Sequence, residues 1–188
     1  MKTIKMLLIL LLLAAAGALG FIYSGVYSVA ANEPHMKITY WALETLRERS
    51  IARAASDISV PDLSDPDMLL AGGADYNEMC VGCHLKPGLP QTDMTLGLYP
   101  RPPGLTRSPE THDHAHPVGG HNRDDALKRQ FWIIKNGIKA SGMPAWGETH
   151  SDERIWAMVA FLEELPKMEM LQYDIVTTRE EEESGGHH

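Results

Sequence analysis

The 188-residue chain holds two cysteines, Cys80 and Cys83, and His84 follows the second directly. This spacing constrains the chain more than any other feature. A disulfide between residues three positions apart would close a tiny loop and staple nothing, so a disulfide scaffold is excluded. One helical turn separates the two thiols, and His84 lies four positions after Cys80. The three side chains therefore project from neighbouring points at one helix end. Two thiols placed this way meet the two vinyl groups of a single haem while the imidazole reaches the iron. Two rivals use the same residues. A thioredoxin-like redox pair needs a βαβ setting, whereas this chain offers helices and loops. A zinc site needs a second Cys or His pair at finger spacing. The spacing thus predicts one covalent haem c, held by thioethers at Cys80 and Cys83, with His84 as an iron ligand.

The compartment is read from the N-terminus. Lys2 and Lys5 precede an uncharged run from Met6 to Asn32, and its core, Met6 to Leu13, is almost wholly Leu and Ile. The run is long enough to cross a bilayer as a helix, and the lysines predict that the rest of the chain lies outside. A cleaved signal peptide competes, because Ala16-Gly17-Ala18 and Val29-Ala30-Ala31 both resemble small-residue cleavage sites. Cleavage after Ala18 would leave a new terminus of Leu19-Gly20-Phe21-Ile22-Tyr23, which is awkward in water, so an uncleaved anchor is preferred. The formal net charge of -8 argues against a nucleic-acid partner and suits docking on a basic protein patch, although Glu180 to Glu183 in the tail carry part of it.

Patterning after the anchor is helical throughout, which makes the fold class all-α. Asn32 to about Ser56 reads as a helix capped by Asn32, with Ile38, Trp41, Thr45 and Leu46 on one face and Arg47, Arg49 and Arg53 following. Those arginines either face anionic lipid or form the solvated side of a packing helix. Pro61 and Pro66 mark a boundary. A helix is expected from about Pro66 to Cys83, a long loop from Lys86 to Asn122, and a helix over Asp124–Asn136 ended by Gly137. A last strong helix is capped by Ser151 and closed by Pro166, and disorder is expected after about Tyr173. The expected segments are 1–31 (anchor or signal), 32–60 (juxtamembrane helix and linker), 61–170 (haem domain) and 171–188 (acidic tail).

From about Asp67 to Met168, this order of motif, loop, helix, Gly-Met-Pro and Trp-containing helix resembles a class I c-type cytochrome. Phe131-Trp132-Ile133-Ile134-Lys135-Asn136-Gly137-Ile138 and Gly142-Met143-Pro144-Ala145-Trp146-Gly147 are similar to membrane-anchored bacterial mono-haem cytochromes, as are Gly25-Val26-Tyr27-Ser28-Val29-Ala30-Ala31 and Pro34-His35. The resemblance implies a small helical domain wrapped round one haem, with its first and last helices crossing. It implies a methionine as sixth iron ligand, for which Met143 is the best match; a bis-His or open site is the alternative. It also implies a proline carbonyl that accepts the Nδ1 proton of the iron-bound imidazole, with Pro103 ahead of Pro102. Trp132 and Trp146 border the haem or belong to the core.

The expected function is single-electron transfer at the periplasmic face of a bacterial inner membrane. A dehydrogenase would be the donor, and an oxidase or reductase the acceptor. The alternatives are a haem enzyme or sensor with a labile sixth site, and a metal-handling protein. The last rests on His112, His114 and His116, which alternate along the chain with His121 nearby; in an extended segment the first three share one face and could bind Zn, Cu or Ni. A solvated polar loop is the plainer reading. His187 and His188 are either a native metal-prone tail or a remnant.

Overall fold

The computed structural model describes residues 2–106, 122–139 and 141–178. The histidines at 112, 114, 116, 121, 187 and 188 and the acids at 180–183 lie outside the described residues. Two compact units are present, Met1–Pro34 and His35–His188.

The first unit is built on one helix, α1 (Lys2–Ser24), with every described side chain exposed. Its 23 residues span about 34 Å, against roughly 30 Å for a bilayer's hydrocarbon core. By length and composition it can cross a membrane, and a signal sequence meets the same test. Gly25, at φ +63°, ends it in the left-handed region.

The second unit is all-helical among the described residues: α2 (Lys37–Ala55), α3 (Pro66–Met79), α4 (Val81–His84), α5 (Asp93–Gly97), α6 (Arg123–Asn136), α7 (Asp152–Glu164) and α8 (Met170–Thr177). Short 3-10 turns at Trp146–Glu148 and Leu165–Lys167 flank α7. The only β feature among the described residues is an isolated antiparallel bridge between Ile138 and Met143.

Local chemistry sets the boundaries. Asp65 caps α3 by accepting a bond from the Asp67 amide (2.9 Å), and Pro66 occupies the first turn, where its missing N–H costs nothing. Asn122 caps α6 through the Asp125 amide (2.9 Å), and Gly137, at φ +65°, stops it. Ser151 caps α7, with Asp152 and Glu153 in its first turn.

Four expectations need correction. α2 begins at Lys37 and not at Asn32, because 30–33 forms a turn closed by the Glu33 amide on the Ala30 carbonyl (3.2 Å). The helix expected to run through Cys83 breaks at Cys80 (φ -111°), so the motif occupies its own turn, α4. The long loop after Lys86 contains α5, whose start is tied by reciprocal Thr92 and Thr95 capping bonds. Residues from 171 do not all form a tail. α8 buries Tyr173 against Tyr76 and Phe161, and the Tyr173 hydroxyl donates to Asn77 Oδ1 (3.0 Å).

The core centres on α7, where every residue from Ile155 to Phe161 is buried. α3 packs on one side and α6 on the other, which leaves α7 no polar face in its middle. Phe131 of α6 stacks on Trp156 at 4.2 Å between ring centroids. The α3–α7 contact is close enough that a Cβ on Gly72 would lie 2.0 Å from the Ala157 carbonyl oxygen. Beside it, Arg154 donates two bonds to buried Asp75 (2.7 and 3.0 Å) and fixes the rotation of α3 on α7. Gly72→Ala should therefore destabilise the haem-loaded protein by about 3 kcal/mol or more, because backbone and not a flexible side chain must move. Gly97→Ala, with nothing within 4 Å, should stay within about 0.5 kcal/mol. Urea unfolding of both variants checks this contrast.

Candidate functional site

Gly72, Tyr76 and Cys80 recur every fourth residue, so the stripe that seats α3 on α7 runs directly into the motif. Cys80 is half-buried under this contact. Desolvation, with the Asp75 and Cys83 charges next in size, pushes its thiol up to about 12. Neither Cys80 nor Cys83 is in a disulfide. Both remain available as thiols for separate bonds.

His84 ends α4. Its Nδ1 lies 2.9 Å from the Pro103 carbonyl oxygen. A carbonyl only accepts, so Nδ1 carries the proton and Nε2 carries the lone pair. Burial, the larger influence, lowers the imidazole's pKa, while the bond to Pro103 opposes it. The ring is thereby held as the neutral tautomer that a metal ion takes as a ligand.

The backbone around the ring is pinned as well. The Leu105 amide donates to the His84 carbonyl (3.0 Å), which anchors the Pro103 segment to the motif. Leu85 adopts φ +70°, a region unfavourable for a side chain of its size. The buried Tyr76 hydroxyl donates to the Leu85 carbonyl at 2.7 Å and lies 3.2 Å from that of His84. Thr92 reaches across from the start of α5 to the Gly82 carbonyl.

Met143 arrives on a different loop. Gly137, at φ +65°, is required there, since a Cβ would sit 2.5 Å from the Met143 carbonyl oxygen. That carbonyl accepts from the Ile138 amide (3.1 Å) and closes the loop. Met143 is half-buried beside the α6–α7 core. Leu98, just after α5, approaches Gly142, so this loop meets the segment that follows the motif. On α5 itself, Met94 and Leu96 leave 53% and 52% of their surface exposed. Trp146 is half-buried on the same core, with His150 edge-on to it, and Trp132 lines a groove of about 390 Å³ between α2, α6 and α7. Met158 is core, 1% exposed.

The family described as cytochrome C oxidase, cbb3-type, subunit III matches residues 67–162, just over half of the chain. The chain belongs to this family of class I c-type cytochromes. No curated protein and no solved structure matches it. Membership implies covalently bound haem c and electron carriage in general, with redox proteins as partners. The residues present fit such a group: two thiols outside any disulfide and a neutral imidazole meet at one end of α3.

Tyr76 and Thr92 were not singled out by sequence reasoning. Tyr76 stands one turn before Cys80, and the Thr92-x-x-Thr95 spacing is a capping signal; both are visible only once the motif's helix is in view. Tyr76→Phe keeps the ring packing and removes the bond to Leu85. It should destabilise the haem-loaded protein by about 1–2 kcal/mol in urea unfolding. A change below about 0.3 kcal/mol would mean that the hydroxyl does not secure the strained turn.

Proposed function

We propose that the chain is a single-haem electron carrier in which Cys80 and Cys83 form the thioethers, His84 and Met143 are the axial iron ligands, and Pro103 orients His84. The observation that carries this reading is the bond from His84 Nδ1 to the Pro103 carbonyl beside two unpaired thiols. Bound haem c supplies one-electron ferric/ferrous chemistry. The protein's own part is positional. Pro103 fixes the tautomer and raises the basicity of His84. The loop closed at Gly137 presents Met143, a soft neutral donor that favours the reduced state relative to a second imidazole. If His84 and Met143 both held the iron, no position would be left for a substrate, as a carrier requires.

α1 is proposed to remain as a single membrane anchor, with His35–His188 on the periplasmic side of a bacterial inner membrane. Its length and its leading Lys2 and Lys5 support that orientation. Donor and acceptor would then be a dehydrogenase and an oxidase or reductase that share this face.

Met143→His should remain six-coordinate and low-spin but titrate at a clearly lower midpoint potential, since imidazole replaces thioether. An unchanged potential would assign the sixth position to another residue. Cys80→Ala with Cys83→Ala should abolish haem staining on a denaturing gel. Carbonate-washed membranes should retain the full chain, and a soluble product starting after Ala18 or Ala31 would contradict the anchor.

A further inference from the structure

α2 has two unlike faces. Glu44, Glu48, Ile51 and Ala55 follow one another at spacings of three and four, and Glu48, Ile51 and Ala55 are buried where α2 packs on α6. Both acids of the helix belong to this face. Glu44 and Glu48 pair with Arg47, and Glu48 also pairs with Arg129 of α6. The opposite stripe runs Ile38, Ala42, Leu46, Arg49, Arg53, and Trp41 lies one turn before Glu44, at the margin of the packed face. Ile38 and Leu46 are 64% and 67% exposed, and Trp41 is 63% exposed. Arg49 and Arg53 are exposed and have no ion-pair partner among the described residues.

The helix thus turns its carboxylates inward and keeps cations and apolar groups outside, on a chain whose net charge is -8. Exposed Ile38 and Leu46 followed on the same stripe by two arginines are the residue types found where a helix lies in a bilayer interface. Residues 25–36 join the apolar α1 to α2 and reach at most about 40 Å when fully extended, so a membrane holding α1 is always within reach of α2.

We propose that the outer face of α2 lies on a lipid surface that contains anionic headgroups. Ile38 and Leu46 enter the headgroup boundary, and Arg49 and Arg53 engage lipid phosphates. The inference rests on the anchored reading of α1. Lipid is favoured over a protein occupant by charge. The cations stand on an otherwise acidic chain, and an anionic leaflet complements them without a dedicated partner.

The test uses the full haem-loaded chain in vesicles of phosphatidylcholine with one-third phosphatidylglycerol. A nitroxide is placed through Ala42→Cys, an exposed position on the stripe, and separately through Glu169→Cys as a distant exposed control. Collisions with oxygen, which partitions into lipid, and with a water-soluble nickel chelate are compared by power-saturation EPR. The label at 42 should show a severalfold higher ratio of oxygen to nickel accessibility than the label at 169. The difference should shrink in pure phosphatidylcholine and in the Arg49→Glu, Arg53→Glu variant. Equal aqueous accessibility at 42 and 169, in protein that floats with the vesicles, overturns the inference and leaves the anchor standing. Shielding at 42 from both reagents means a protein covers the face and also overturns it. Full depth in the charge-reversed variant overturns the anionic-headgroup claim. Chain that fails to float overturns the anchor and the inference together.

Discussion

The close approach of α3 to α7 at Gly72 governs the rest of the domain. With no side chain at Gly72, the α3 backbone comes up to the Ala157 carbonyl, a distance that no other residue would permit. Tyr76 and Cys80 follow on the same stripe, so one contact both buries the core face of α3 and aims the first motif cysteine inward. The Asp75–Arg154 pair prevents α3 from rotating about that contact. Because α3 is fixed, α4 starts from a fixed point, and the bonds from Tyr76 to Leu85 and from Leu105 to His84 carry that order to the imidazole.

The site converts this rigidity into chemistry suited to electron transfer. The carbonyl of each candidate ligand is tied by a backbone bond: that of His84, at the end of α4, by the Leu105 amide, and that of Met143, in its loop, by the Ile138 amide. Loops held this way resist rearrangement, and a carrier benefits when its ligands keep their places in both oxidation states. Burial lowers the pKa of the His84 ring and favours the neutral form that can offer a lone pair to iron. The same features serve attachment and orientation, and they do not assemble a nucleophile with its base.

Much of this was legible in the sequence because the informative residues are local. Cys80, Cys83 and His84 declare themselves by spacing, and the caps at Ser151 and Gly137 are read from residue type alone. On α7, helical periodicity alone picks out Ile155, Val159 and Leu162, whereas the structure buries every residue from Ile155 to Phe161, since two helices flank it. Periodicity describes one packed face and is blind to a second. α8 was missed for a related reason. Its eight residues are too few to hold a helix alone, and it is fixed by Tyr173 packing against Phe161 and against Tyr76, the latter nearly a hundred residues away. The break at Cys80 and the hydroxyl of Tyr76 likewise depend on long-range packing, which no window of sequence contains.

The central claim is that Met143, alone among ten methionines, binds the iron opposite His84. Proton–carbon NMR of the reduced, diamagnetic protein, labelled at methionine methyl carbons, tests it most directly. A methyl held on the iron axis lies over the porphyrin ring and is shifted far upfield by the ring current. The account predicts one such methyl, lost when Met143 is replaced by alanine. Ten methyl signals in the ordinary range, or a shifted signal that survives the replacement, would contradict it.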